Sequence, residues 1–279
     1  MNQSPKRMPR GVSTNRELVE DAKKAYPNPS INPPGLVHVT SVGWGRRIVS
    51  DGIISKTRCS VFDKELVYTF VARPAYRFKS GDQKNEQLNF FPFAIVLYSK
   101  SLPAPYHVYP FDTGAYMAGF YDEILDPSIY LEDYELEPTI ESALRHVEWA
   151  FGSTEDYFNA KSKTGLMETL PVWRSVSRSW LGIASLASVG RDRPDSRASA
   201  IEIAFSQSID LRKDSGKLLV FPQQLLEDPQ GENTEFKDKI KALKIPIATY
   251  EWRPNETPDS YANEIADVVR QQLQSSAWS

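Results

Sequence analysis

The sequence holds a single cysteine, Cys59, among 279 residues, and only three histidines, His38, His107 and His146. One thiol closes no internal disulfide, and it forms no metal-ligand spacing with the scattered histidines, so neither a disulfide framework nor a structural zinc site is expected. Long apolar runs are lacking as well: none approaches the roughly 20 residues that cross a bilayer. The basic N-terminal stretch MNQSPKRMPRGVSTNRELVED leads into no apolar segment, which argues against a signal peptide. Neither sign of charge dominates. With 33 Lys and Arg against 36 Asp and Glu, the net charge of −3 offers nucleic acid no general attraction. Together these absences predict a soluble cytoplasmic chain with no metal and no membrane contact, and the sequence shows no internal repeat.

What is present is ordinary globular material, 41% hydrophobic and 11% aromatic, in a chain long enough to bury a large core. Residues 1–15 read as an unstructured lead, NRELVEDAKKAY as a short amphipathic helix, and PNPSINPPG as a linker or extended crossing. LVHV is a strand that feeds at once into a helix over TSVGWGRRIVSDG. Thr40 or Ser41 is its cap, Val42, Ile48 and Val49 face inward, and Gly52 closes it in a left-handed conformation. ELVYTFVA (65–72) and PFAIVLYS (92–99) are strand-like, with a polar loop between them. LEPTIESALRHVEWAFG and STEDYFNAK have helical spacing and good caps, whereas ETLPVWRSVSRSWLG fits neither period. SAIEIAF, GKLLVFP and IPIATYEW return to strand character, around a lysine-rich helix EFKDKIKALK and before a terminal helix TPDSYANEIADVVRQQLQ capped at Thr257. The pattern predicts an α+β fold whose sheet is assembled from distant segments: a lead and short helix over 1–30, then one domain over 31–279 with a helical insertion around 137–190.

Asp112-Thr113-Gly114-Ala115 matches the tetrapeptide that carries the active aspartate of aspartic proteases. That chemistry needs two carboxylates sharing a proton, and one copy is present. The alternative is a turn in which Asp112 caps its own backbone and Gly114 supplies a positive φ. The tryptophans are irregularly spaced and lack an accompanying basic stripe, so packing accounts for them better than a base-stacking surface does.

Three separated pieces carry more. LVHVTS places His38 at a strand end. In LVYTFVARPAYRF a strand ends at Arg73 before Pro74, which presents the arginine from a defined turn, suited to gripping a phosphate, between Tyr68 and Tyr76. In SRASAIEIAF, Glu202 alternates with Ile201 and Ile203, so that isoleucines facing the core leave the carboxylate on the other face beside Ala200 and Ala204, with room for a ligand.

In this order the pieces resemble the ADP-ribosyltransferase fold, and within it the DarT-like branch of NAD-dependent toxins. The resemblance rests on HVTSVGWGRRIVSDGII, YTFVARPAY and AIEIAFSQSIDLRKDSGKLLVFP, and covers residues 35–80 and 195–225. Where the family has an Arg-Ser-Pro-like turn, Arg73 and Pro74 lack the serine. The resemblance implies a split β-sheet core with flanking helices. His38 and Thr40 would hold a ribose and the dinucleotide beside it, and Tyr68 or Tyr76 would stack on nicotinamide. Arg73 would lie near the phosphates or the acceptor, and Glu202 would be the catalytic carboxylate. It further implies NAD as co-substrate with no metal, a macromolecular acceptor (nucleic acid or protein), and a role as a toxin or phage-defence effector with an antitoxin or immunity partner. Arg46, Arg47, Lys56 and Arg58, and separately Arg191, Arg193 and Arg197, offer a local basic rim for a nucleic-acid acceptor. The alternatives are an NAD glycohydrolase, a non-catalytic NAD or ADP-ribose-binding module and, more remotely, an aspartic protease through Asp112.

Overall fold

A computed structural model describes residues 16–75, 81–187, 195–213 and 215–277. The predicted lead over 1–15, Tyr76, Arg191, Arg193 and Trp278 lie outside the described residues. In chain order the elements begin with α1 (Glu17–Ala25), β1 (Leu36–Ser41), α2 (Val42–Asp51), β2 (Ile53–Ile54), β3 (Thr57–Cys59), β4 (Lys64–Val71), β5 (Pro92–Leu97) and β6 (His107–Tyr109). The middle of the chain holds α3 (Thr113–Met117), α4 (Ile140–Ala150), α5 (Thr154–Phe158), α6 (Leu166–Thr169) and α7 (Ser175–Ser185). There follow β7 (Glu202–Phe205), β8 (Ile209–Asp210), β9 (Gly216–Pro222), α8 (Thr234–Leu243), β10 (Ile247–Tyr250) and α9 (Ala262–Ala277). The fold is mixed α and β with a mostly antiparallel sheet, as the order of strand-like segments early, helical segments in the middle and strand-like segments late predicts. No helix among the described residues is long and apolar enough to cross a membrane.

The chain divides into two compact units. A sheet unit comprises Pro34–Arg58, Glu65–Pro103 and Ser206–Ser279, and a helical unit comprises Met1–Pro33, Cys59–Lys64 and Ala104–Phe205. In the sheet unit the strands run in the order β10, β9, β5, β1, β4. The β9–β10 pair is parallel and the rest are antiparallel, with His38 opposite Ile95 and Thr40 opposite Phe93. β5 is buried along its whole length, which is why PFAIVL reads as a continuous apolar run rather than an alternating one. α2 lies close against β5: a Cβ added to Gly45 would fall 2.3 Å from the Phe93 ring. Only glycine permits that approach. Gly52, at φ 67°, ends the helix in the left-handed conformation expected of it.

In the helical unit α1 packs on α4 and α7 around Leu18, Val147 and Trp180, all buried. Thr139 caps α4 by accepting from the Ser142 N–H at 3.0 Å, and Ser153 caps α5 through the Asp156 N–H at the same distance. The ambiguous segment ETLPVWRSVSRSWLG holds the end of α6, a non-helical stretch over 170–174 and most of α7, whose first amides donate to the carboxylate of Glu17 from α1, Val176 N–H at 2.8 Å and Ser177 N–H at 3.3 Å. PNPSINPPG, with bends at 27, 28 and 31, is fastened to α4, where Oε1 of Glu148 accepts from the Ser30 N–H, the Ser30 hydroxyl and the Ile31 N–H. Trp149 and Trp180 are core residues, as packing predicts, while Trp44 and Trp173 are exposed.

Candidate functional site

The sheet unit contains a cavity of about 420 Å³ where β1 passes directly into α2. The volume lies in the range of small-molecule sites, about 300–1,000 Å³. Ser41 provides the cap of α2, accepting from the Trp44 N–H at 3.5 Å, so Thr40 is not spent on the helix. His38 and Thr40, two positions apart, share a face of β1 and line the cavity together. From β4, Leu66, Val67, Tyr68 and Phe70 line the cavity, and α2 contributes Trp44, Arg47 and Ile48.

His38 is oriented by a bond from its Nδ1 to the Tyr68 carbonyl oxygen at 2.8 Å. A carbonyl only accepts, so Nδ1 carries the proton, and in the neutral ring Nε2 is an acceptor. Burial pushes the imidazole below its ordinary pKa and the bond to Tyr68 works against that shift, so the ring is neutral at neutral pH. A neutral imidazole of this tautomer suits a ligand hydroxyl.

Arg73 follows β4 in a tight turn, in which Ala72 adopts φ 53° and the Ala75 N–H donates to the Arg73 carbonyl at 3.0 Å. The strand ends at Val71, two residues before the expected Arg73, and the arginine is 4% exposed and is not among the residues lining the cavity.

Glu202 belongs to the helical unit. β7 pairs with β6 so that Glu202 lies opposite Tyr109 and Ala204 opposite His107. Its carboxyl is 2% exposed. The Thr113 hydroxyl donates to Oε1 at 2.7 Å, the Thr113 N–H donates to Oε2 at 3.2 Å, and Nε2 of His107 lies 3.3 Å from Oε1. Burial pushes the Glu202 pKa up to about 8, against the bonds from Thr113. The expected open room beside Ala200 and Ala204 is therefore filled: both alanines are buried, and the chain's own groups surround the carboxyl. His107 and Thr113 had no signal in their own stretches, since the approach of His107 and the bonds from Thr113 to Glu202 span 95 and 89 positions.

Asp112 stands next to this group. Its Oδ1 accepts from the Ala115 N–H at 3.0 Å and so caps α3, while burial, then the neighbouring Glu202, raise its pKa to about 7. The self-capping reading of Asp112 fits this geometry. The expected positive φ at Gly114 does not, because Gly114 lies inside the first turn of α3 rather than in a reverse turn. Arg197 pairs with Asp195 through two contacts of 2.9 and 2.8 Å and rests over the Phe120 ring.

Comparison with family models, curated proteins and solved structures gives no match to this chain. The candidate chemistry accordingly rests on these two constellations, the His38 cavity in one unit and the buried carboxyl cluster in the other. Among the described residues no group of three or more His, Cys, Asp or Glu side chains has the arrangement of a metal site. Trp44 and Arg47 are the cavity residues that strand-end reasoning assigns no contact to NAD. The signal for them is their spacing of three on α2, which puts both on one face of the helix.

Proposed function

We propose that the chain is an NAD-dependent ADP-ribosyltransferase whose NAD is held in the His38 cavity. The observation that carries this reading is the meeting of His38, Thr40 and Tyr68 in one cavity, from strands separated by up to 30 positions, as the resemblance implies for the cofactor-binding residues. A nicotinamide dinucleotide presents sugar hydroxyls and flat rings. Nε2 of His38 accepts from a ribose hydroxyl, the Thr40 hydroxyl bonds beside it, and the aromatic side chain of Tyr68 supplies a ring contact worth about 1 kcal/mol. The acceptor class, nucleic acid or protein, and the role as a toxin or defence effector with a neutralising partner follow from the resemblance alone.

Transfer requires an ionised carboxylate where positive charge develops on the ribose. The resemblance gives that part to Glu202, and its perturbed ionisation is a property that buried functional groups share with structural ones. Because Glu202 is 2% exposed and enclosed by the chain's own groups, a second reading has a specific observation in its favour: a module that binds NAD or ADP-ribose without turnover. Incubation with NAD, followed by nicotinamide release and by mass spectrometry of protein and nucleic-acid acceptors, separates the two. A transferase releases nicotinamide and labels an acceptor, loses both in Glu202→Gln and keeps NAD binding. Binding with no turnover across pH 6 to 9 selects the module, and the absence of NAD binding by the folded protein removes both.

A further inference from the structure

Trp44 is a large aromatic residue at the rim of the His38 cavity, and 59% of its surface is exposed. The Arg47 guanidinium lies over its indole ring, 4.9 Å from the centroid. The two side chains meet because positions three apart lie on the same face of α2. A guanidinium held over a ring still has N–H groups to donate, and a guanidinium can grip a phosphate with two parallel bonds. Arg47 makes no ion pair with an acidic side chain among the described residues, although Asp51, one turn further on, lines the same cavity.

Arg47 also lines a second cavity of about 240 Å³, on the side of α2 that faces α8. Arg46 and Lys239 line it as well, with Glu232 and Glu235 as the acidic members, so three cations stand against two carboxylates. Arg46 is already held in place: it donates to Oδ1 of Asn233 at 2.9 Å and lies over the Phe236 ring. Arg47 is common to both cavities and is the cation that joins them.

We infer that Trp44 and Arg47 form a ring-and-phosphate clamp. The ligand of the His38 cavity is a nucleotide whose heterocycle takes the open face of Trp44 and whose diphosphate runs along the N–H edge of Arg47 into the cavity shared with Arg46 and Lys239. This inference rests on the NAD reading and deepens it. It assigns the phosphate contact to α2, at a side chain exposed beside the cavity, rather than to the buried Arg73.

The test is calorimetric titration of the full chain with four ligands: NAD and ADP-ribose, which carry a diphosphate, and nicotinamide riboside and adenosine, which do not. The wild-type protein binds the first pair more tightly. Loss of a charge-assisted contact in Arg47→Met weakens NAD and ADP-ribose by about tenfold or more and leaves the nucleosides unchanged. Lys239→Met acts in the same direction and less strongly, Trp44→Ala weakens all four ligands, and added salt erodes NAD affinity in the wild type more than in Arg47→Met. Arg47 and Lys239 are exposed, and an unchanged melting temperature verifies that the variants fold. NAD binding that is insensitive to Arg47→Met overturns the clamp and leaves the NAD reading standing. A wild-type protein that binds none of the four overturns both, and an NAD affinity that falls in Arg47→Met but not in His38→Ala keeps the clamp and removes the ribose contact.

Discussion

The Thr113 hydroxyl donates to Oε1 of Glu202 across 2.7 Å, and the N–H of the same residue donates to Oε2. One residue thus serves both oxygens of a buried carboxyl, at the first position of a short helix that Asp112 caps. Thr113→Val preserves shape and removes only the hydroxyl, leaving a buried acceptor without that donor, at a cost of about 1–3 kcal/mol. It also removes an influence that holds the Glu202 pKa down, so that pKa rises further. Urea denaturation measures the first effect and carboxyl-detected NMR titration the second. Thr113→Ser, which restores the hydroxyl, recovers most of both, and a Val variant as stable as wild type would remove Thr113 from the account.

The carboxyl cluster also sets a pH dependence. Glu202 and Asp112 have folded pKa values raised to about 8 and about 7, above the ordinary carboxyl range, so across that interval the folded state holds protons that the unfolded state has lost. Their stabilisation is complete below the unfolded pKa and disappears as pH rises through the folded one. His146 acts oppositely: burial lowers its pKa to about 3, so its contribution grows as pH rises from 3 towards its unfolded value of 6.5. The two effects offset below that point. Between about pH 6.5 and 8 the carboxyls act alone, and stability falls by on the order of 2 kcal/mol. Denaturation midpoints at pH 6.5 and 8.5 measure the fall, and Glu202→Gln flattens it.

The sheet-unit site was legible because its signals are local. The β1 to α2 passage, Gly52 at its end and the strand character of β4 are fixed by neighbours within a few residues, and these place His38, Thr40 and Tyr68. The helical unit was less legible where distant groups complete an element. α7 reads as ambiguous because no side chain of its own caps it, and Glu17, 159 positions earlier, receives the Val176 N–H. Glu202 misled for the same reason. Alternation places a side chain on one face of a strand, but whether that face meets solvent, ligand or Thr113 depends on chain 89 residues away.

Close packing of α2 against β5 predicts a coupled pair. In Gly45→Ala the new Cβ falls 2.3 Å from the Phe93 ring, and since the ring stacks on Phe221 at 5.2 Å, α2 has to move. Overpacking of this kind costs about 1–3 kcal/mol. Phe93→Ala on its own costs about 3–5 kcal/mol by leaving a void. The double variant is less destabilised than the sum of the two, because the added methyl enters the space the ring vacates. Strict additivity in a denaturation cycle would mean that the close approach is not what selects glycine here.

The bond from His38 to Tyr68 makes a prediction about binding rather than stability. With the Nδ1 proton committed to the Tyr68 carbonyl and the ring pKa below its ordinary value, His38 gains its second proton only in more acid solution than a free histidine does. Ribose binding through Nε2 therefore weakens at a lower pH than the titration of a free histidine, when Nε2 gains a proton and can no longer accept. His38→Phe keeps a flat ring but removes the acceptor, and lowers NAD affinity by about tenfold with no change in the dependence on the diphosphate. An affinity for NAD that steps through a single protonation near 6.5 in the wild type, and keeps that step in His38→Phe, would place the titrating group elsewhere and leave His38 as a strand-end residue fastened to its neighbour.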